Sequence, residues 1–121
     1  MKIELEKSSH SLVVERYADN VIIINGQMHS LPVVISLEQL LSIPVPPSVA
    51  ELSINSLQAI MQMAPEVILI GSGQSAVFLP VTLIDEINRQ GIGIECMTSP
   101  AACRTFSILS SESRSVVAII Y

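Results

Sequence analysis

Two unbroken aliphatic runs, Val67-Ile68-Leu69-Ile70 and Val116-Val117-Ala118-Ile119-Ile120, set the tightest limit on what this chain can fold into. Neither alternates with polar residues, so each needs apolar cover on both faces, as central strands of a helix-covered sheet do. The segments between them have helical period. Thr82-Leu83-Ile84-Asp85 resembles a capping box with Asp85 in the usual place of Glu or Gln, and Gly91 is placed to end that helix in a left-handed conformation. Residues 92–97 read as the next strand. Ser99 followed by Pro100 reads as N-cap then first helical residue, and Ala102, Cys103, Phe106 and Leu109 fall on one face of a further helix. Strand, helix, strand, helix, strand implies two right-handed βαβ crossovers around a parallel three-stranded core.

The first third reads differently. Residues 12–17 and 21–24 are β-branched or aromatic-rich runs separated by the turn-type cluster Ala18-Asp19-Asn20, and Asn25-Gly26 supplies the two positive φ values of a type I′ turn. A third strand should return through residues 27–35, with Pro32 forcing it to an edge or breaking it near the middle. Pro44, Pro46 and Pro47 mark residues 42–48 as an extended connector. Leu57, Ile60, Met61 and Ala64 then recur at helical spacing, with Ser53 or Asn55 to cap and Pro65 to close, which predicts a helix over 54–63. The expected fold class is α/β with an N-terminal antiparallel meander.

At 121 residues the chain fits a single domain, 1–121, and with 50% hydrophobic and 14% charged residues it can build a core. Its longest apolar run, residues 116–121, is far short of the roughly 20 that a membrane-spanning helix needs. The opening Met1-Lys2-Ile3-Glu4-Leu5-Glu6-Lys7 is unlike a secretory signal and too acidic for a transit peptide, so a cytoplasmic, non-membrane protein is expected. A net charge of −5 gives no basic footprint for a nucleic acid, and with two Phe, two Tyr and no Trp stacking platforms are scarce. Cys96 and Cys103 are the two cysteines, expected to be small buried residues rather than a disulfide.

Candidate chemistry is thin. Gly71-Ser72-Gly73-Gln74-Ser75-Ala76 matches a dinucleotide fingerprint, with Glu95 where a ribose-binding acid could sit. However, Val77-Phe78-Leu79-Pro80 intervenes before any helix can start, so no helix N-terminus faces a pyrophosphate and no cofactor is expected. The glycines read instead as a tight turn. The Met97-Thr98-Ser99-Pro100 turn lies at the same sheet edge, and together with Gly71, Ser72 and Gly73 it predicts a shallow anion-binding recess of Gly71, Ser72, Gly73, Thr98, Ser99 and Arg104, without a general base. Against this, Ser99 caps its own helix. Glu112 and Arg114, in the turn before the last strand, are expected to be structural: they could pair with each other, or Arg114 could bond carbonyls or an acid near the C-terminal ends of the central strands. His10 and His29 lie 19 residues apart, and no set has metal-ligand spacing.

From Leu69 onward the residues resemble a known family. Ile70-Gly71-Ser72-Gly73, Gly91-Ile92-Gly93-Ile94-Glu95-Cys96-Met97, residues 99–109, and Glu112-Ser113-Arg114-Ser115-Val116 are similar to the small domain of unknown function shared by bacterial and archaeal hypothetical proteins, the mitochondrial complex I assembly factor 3 and the adipogenesis-associated domain protein. The family pattern has Gly-Thr-Gly at Gly71-Ser72-Gly73, an acid then Thr at Thr98-Ser99, Tyr-Asn at Phe106-Ser107 and Glu-Gly-Arg at Glu112-Ser113-Arg114. These departures strip polar groups from the pocket edge while the scaffold residues stay. The resemblance implies a three-layer α/β sandwich with a central mixed, mainly parallel sheet. It also implies a non-enzymatic binding or assembly protein with a protein partner, and the apolar content adds the expectation of a homo-oligomer. The alternative is a small-molecule-binding enzyme with its site at the C-terminal strand ends; a redox role for Cys96 and Cys103 is a weaker third.

Overall fold

The computed structural model describes residues 11–121. His10 and the charged opening stretch lie outside them. Asn25 and Gly26 take φ of 51° and 80°, as a type I′ turn requires. They join β2 (Val21–Ile24) to β3 (Gln27–Ser30), and β1 (Val14–Ala18) pairs antiparallel along the other side of β2. The expected strand over 27–35 breaks at Pro32, which has no N–H to give to a ladder. Beyond the cis Leu31–Pro32 bond the chain leaves the meander, and β4 (Val33–Ser36) joins a second sheet. One run of sequence thus serves two sheets.

The second sheet has the order β5-β4-β8-β6-β7, where β5 is Leu40–Leu41, β6 Val67–Gly71, β7 Gly93–Met97 and β8 Val116–Ile120. β6 lies between β7 and β8, parallel to both, and β4 runs antiparallel to β8. Side chains alternate across the two faces with the strand period of two. Ile68, Ile70, Val117 and Ile119 meet Ile60 of α1 (Gln58–Gln62) and Leu83 and Ile87 of α2 (Val81–Asn88). Leu69, Val116, Ala118 and Ile120 face the other way, onto Ala102 and Phe106 of α3 (Ser99–Ser111) and Ile22 and Ile24 of the meander. Each large side chain buried this fully contributes about 1.5–3 kcal/mol. The result is a three-layer α/β sandwich. α2 carries the chain outward from β6 to β7 on one face, and α3 carries it back to β8 on the other, so the two crossovers share one hand.

Local differences from the sequence reading have local causes. The helix expected over 54–63 is α-helical only at Gln58–Gln62, after a 3-10 turn at Asn55–Leu57. There Ser53 and Ser56 exchange backbone-to-hydroxyl bonds of 2.8 and 3.3 Å. α2 starts at Val81, one residue before Thr82, with Pro80 at its N-cap and no side-chain cap bond, so the Thr82–Asp85 box does not form. Gly91 does take a positive φ, 82°. The N-cap of α3 is Thr98, which makes Ser99 the first helical residue and Pro100 the second, because the Ser99 hydroxyl is engaged elsewhere. Cys103 is buried, but Cys96 is only half-buried, and both are free thiols. Among the described residues no helix is long and apolar enough to cross a membrane.

Candidate functional site

Gly71 is the last residue of β6, and its lack of a side chain decides how closely α3 can approach. A Cβ at this position would stand 2.8 Å from Ser99 Oγ and 3.1 Å from Ser99 Cα. Glycine is therefore needed here for a close approach; the positive φ belongs to Gly73, at 94°. Ser99 is completely buried. Its Oγ accepts from the Gly73 N–H at 2.8 Å and donates to the main-chain oxygen of Tyr121 at 2.7 Å, while its own N–H donates to the Gly73 carbonyl at 2.8 Å. The Tyr121 oxygen also accepts from the Tyr17 hydroxyl at 2.8 Å, and the Tyr121 N–H donates to the Gly71 carbonyl at 2.9 Å. Ser72 donates its hydroxyl to the Ser75 carbonyl at 2.7 Å and its N–H to the Met97 carbonyl at 2.8 Å. The meander, the glycine turn, the start of α3 and the end of β8 are tied at one point. Both lone-pair and proton capacity of Ser99 are used in the tie.

Beside this knot opens a recess of about 350 Å³ lined by Tyr17, Asp19, Asn20, Pro32, Gly73, Gln74 and Tyr121, among others. Gln74 Nε2 donates to Asp19 Oδ1 at 2.7 Å across its mouth. The Tyr121 hydroxyl donates to the Pro46 carbonyl at 2.9 Å, and burial, with Glu51 adding to it, pushes this phenol up to about 12. Gly71, Ser72, Gly73, Thr98 and Ser99 lie together where β6 and β7 end and α3 begins, yet of these only Gly73 lines the recess. Arg104 is apart from them. It borders a separate surface dent of about 270 Å³ with Glu15, Arg16, Cys103 and Ser107. Burial pushes the Cys103 thiol up to about 11 despite Arg104, which leaves it protonated and a poor nucleophile.

Arg114 bonds neither Glu112 nor an acid at the C-terminal strand ends. Its Nε donates to Glu66 Oε1 at 2.6 Å, and Glu66 precedes β6, so this pair stands at the opposite, N-terminal end of the central strands. The side chains are 47% and 55% exposed, and the guanidinium holds the Glu66 carboxyl below the usual carboxylate range. Glu112 is exposed at the C-cap of α3. Glu95 is exposed on β7, and among the described residues no three His, Cys, Asp or Glu side chains gather as metal ligands would. Nine residues lie between Gly71 and Val81, the first residue of α2, so the glycine motif does not open the helix that follows it, as a dinucleotide fingerprint would.

Three residues that matter here escaped the sequence reading as site residues. Tyr17 and Tyr121 look like ordinary aromatic strand residues until the fold brings them together. Phe78 gave a signal, an aromatic between Val77 and Leu79-Pro80 in a loop: it is 97% exposed, and Val81 after it is 70% exposed, whereas Phe106 is buried.

Residues 14–121 match the family model described as a protein of unknown function, DUF498/DUF598. The chain is 28% identical over 121 residues to a protein of Francisella tularensis subsp. holarctica (strain LVS) named 13 kDa major membrane protein, covering 99% of this chain and 98% of that one. It is 33% identical over 73 residues to the NADH dehydrogenase [ubiquinone] 1 alpha subcomplex assembly factor 3 of Danio rerio. That match takes in 59% of this chain and 42% of the fish protein. Among solved structures, a protein of Bordetella parapertussis superposes with a TM-score of 0.81 at 31% identity, covering 91% of this chain and 94% of that one.

Proposed function

The chain belongs to the DUF498/DUF598 family of proteins of unknown function, and from that footing we propose that it is a non-enzymatic binding or assembly protein, working in the cytoplasm through a protein-contact surface. The observation that carries this reading is Phe78, 97% exposed, with Val81 three residues on at 70%, the two most exposed large apolar side chains among the described residues. Large exposed apolar side chains grouped in one place are what a contact surface uses. The likeness to a complex I assembly factor supports a role of the same kind. The polar groups at the glycine turn support it from the other side, since Ser72 and Ser99 are spent on main-chain bonds and offer no general base or nucleophile. The net charge of −5 speaks against nucleic acid as the partner.

A photo-crosslinking residue at Ala76, next to Phe78, tests the reading in cells against the same residue at Ser111 on the far helix. A discrete protein adduct from position 76 and none from position 111 is expected, and Phe78→Ser should abolish it. No adduct at 76, or equal adducts at both, overturns the reading. A second copy of this chain is one occupant such an adduct would identify by its mass.

The recess beside Gly73 favours a second reading, a small anion seated against the Gln74 backbone, since the Gly73 N–H is taken by Ser99 Oγ, with the nearby Asp19 carboxylate opposing it. Phosphate titration followed by the Gly73 and Gln74 amide resonances decides it: a saturable shift supports an anion site, and flat resonances remove it.

A further inference from the structure

We propose that the free edge of β7 receives an extended strand from a partner protein, with a basic residue opposite Glu95 and apolar residues on either side of it. This rests on the protein-contact reading above and names the partner's chemistry. Among the described residues β7 pairs with β6 alone, so its other edge is unpaired. The parallel ladder fixes which groups that edge presents. The Gly93 N–H donates to the Glu66 carbonyl and the Met97 carbonyl accepts from the Ser72 N–H, so Gly93, Glu95 and Met97 turn their main-chain groups inward. Ile94 and Cys96 therefore turn both N–H and C=O outward, which makes four main-chain bonds available to an added strand.

Other edges of the molecule are blunter. β5 is only two residues long, Pro32 ends β3's run, and β1 carries a register shift between Val14 and Arg16. On β7 there is no proline, lysine or bulge of the kind that usually guards an edge. Its side chains sort by face. Ile94 and Cys96 pack partly buried on the α2 side, continuous with the core that holds Ile84, and α2 begins at the exposed Val81, three residues after Phe78. Glu95 stands exposed on the opposite face.

Charge selects the occupant. In the antiparallel register that uses both Ile94 and Cys96, the partner residue across from Glu95 occupies a non-hydrogen-bonded pair, where side chains are closest. A second copy of this chain in that register would set Glu95 against Glu95, a like-charge pair that opposes self-association. A strand reading apolar-basic-apolar fits both faces of the edge.

The test uses the isotope-labelled full chain and two capped synthetic peptides, one with Val-Lys-Val at its centre and one with Val-Glu-Val. In the free protein the Ile94 and Cys96 amides should exchange fast with solvent, and the lysine peptide should slow both. The glutamate peptide should bind about two- to five-fold more weakly, and Glu95→Lys should reverse the preference. Ile94 and Cys96 amides that are already protected in a monomer, or only in a dimer, overturn the proposal, as does binding blind to the central charge. Failure here with an adduct intact at position 76 removes strand addition and leaves the contact surface; loss of the adduct with peptide binding intact does the reverse.

Discussion

The two ends of β6 are held to their neighbours by opposite means. At the C-terminal end, Gly71, Gly73, Ser99, Tyr17 and Tyr121 share short hydrogen bonds around a serine with no exposed surface. At the N-terminal end, one half-exposed ion pair, Glu66 with Arg114, spans from β6 to the turn before β8. A buried group that loses its partner bears the full cost of desolvation, whereas an exposed one returns to water. The glycine turn should therefore behave as a rigid joint and the ion pair as trim. The joint also leaves little free chemistry at the place where an open α/β sheet usually carries a site, whereas Phe78 and the edge of β7 lie open.

The hardest blow to this contrast is Gly71→Ala. The added methyl meets Ser99 at a hydroxyl locked by two bonds and at the backbone itself, neither of which can swing aside. Overpacking and broken hydrogen bonds together predict a loss of about 2–5 kcal/mol, read in urea unfolding. A loss under half a kcal/mol would mean that α3 is loosely seated.

Next in size is Ser99→Ala, which strands the half-buried Gly73 N–H while the Tyr121 oxygen keeps its bond from Tyr17. A cost of about 1–3 kcal/mol is expected. Adding Tyr17→Phe removes both side-chain donors from the Tyr121 oxygen, so the double variant should lose more than the sum of the singles. Strict additivity would break the claim that these groups act as one joint.

This joint also shows what the sequence could and could not convey. Asn25-Gly26, the two aliphatic runs and the apolar face Ala102-Cys103-Phe106 are local patterns, and each formed the element its spacing implied. The family resemblance held for the same reason, because its motifs mark the sheet and α3. Ser99 was noticed but given the wrong task. Capping is the commonest use of a serine before a helix, and only the fold brings Tyr121, 22 residues later, onto its hydroxyl. Leu40–Leu41 went unread because two residues carry no period. Arg114 lay in a motif, yet its partner Glu66 is 48 residues away and sits outside every pattern.

A smaller effect should appear in alkali. Burial raises the Tyr121 phenol to about 12, against about 10 in an unfolded chain. Below pH 10 both states hold the proton and stability is unaffected. Between about 10 and 12 the unfolded chain ionises first, so stability falls as pH rises. Tyr121→Phe should flatten that limb of the stability profile; an unchanged limb would assign it to other groups.

The smallest effect belongs to the exposed end. Arg114 holds the Glu66 carboxyl below its usual range, so the folded state binds that proton less readily than the unfolded one. The sign follows from linkage: the contribution is present above about pH 4 and is lost as pH falls through the lowered value, because the unfolded chain takes the proton first. Water and salt screen a pair this exposed, so Arg114→Ala should scarcely move the midpoint at neutral pH, and the slight difference from wild type should fade in acid or in high salt. The bond length of 2.6 Å does not alter this, since geometry sets the attraction but exposure sets how much of it survives. Should Arg114→Ala instead destabilise as much as Ser99→Ala, at any salt concentration, the two ends of β6 would be equal partners and the contrast between joint and trim would fall.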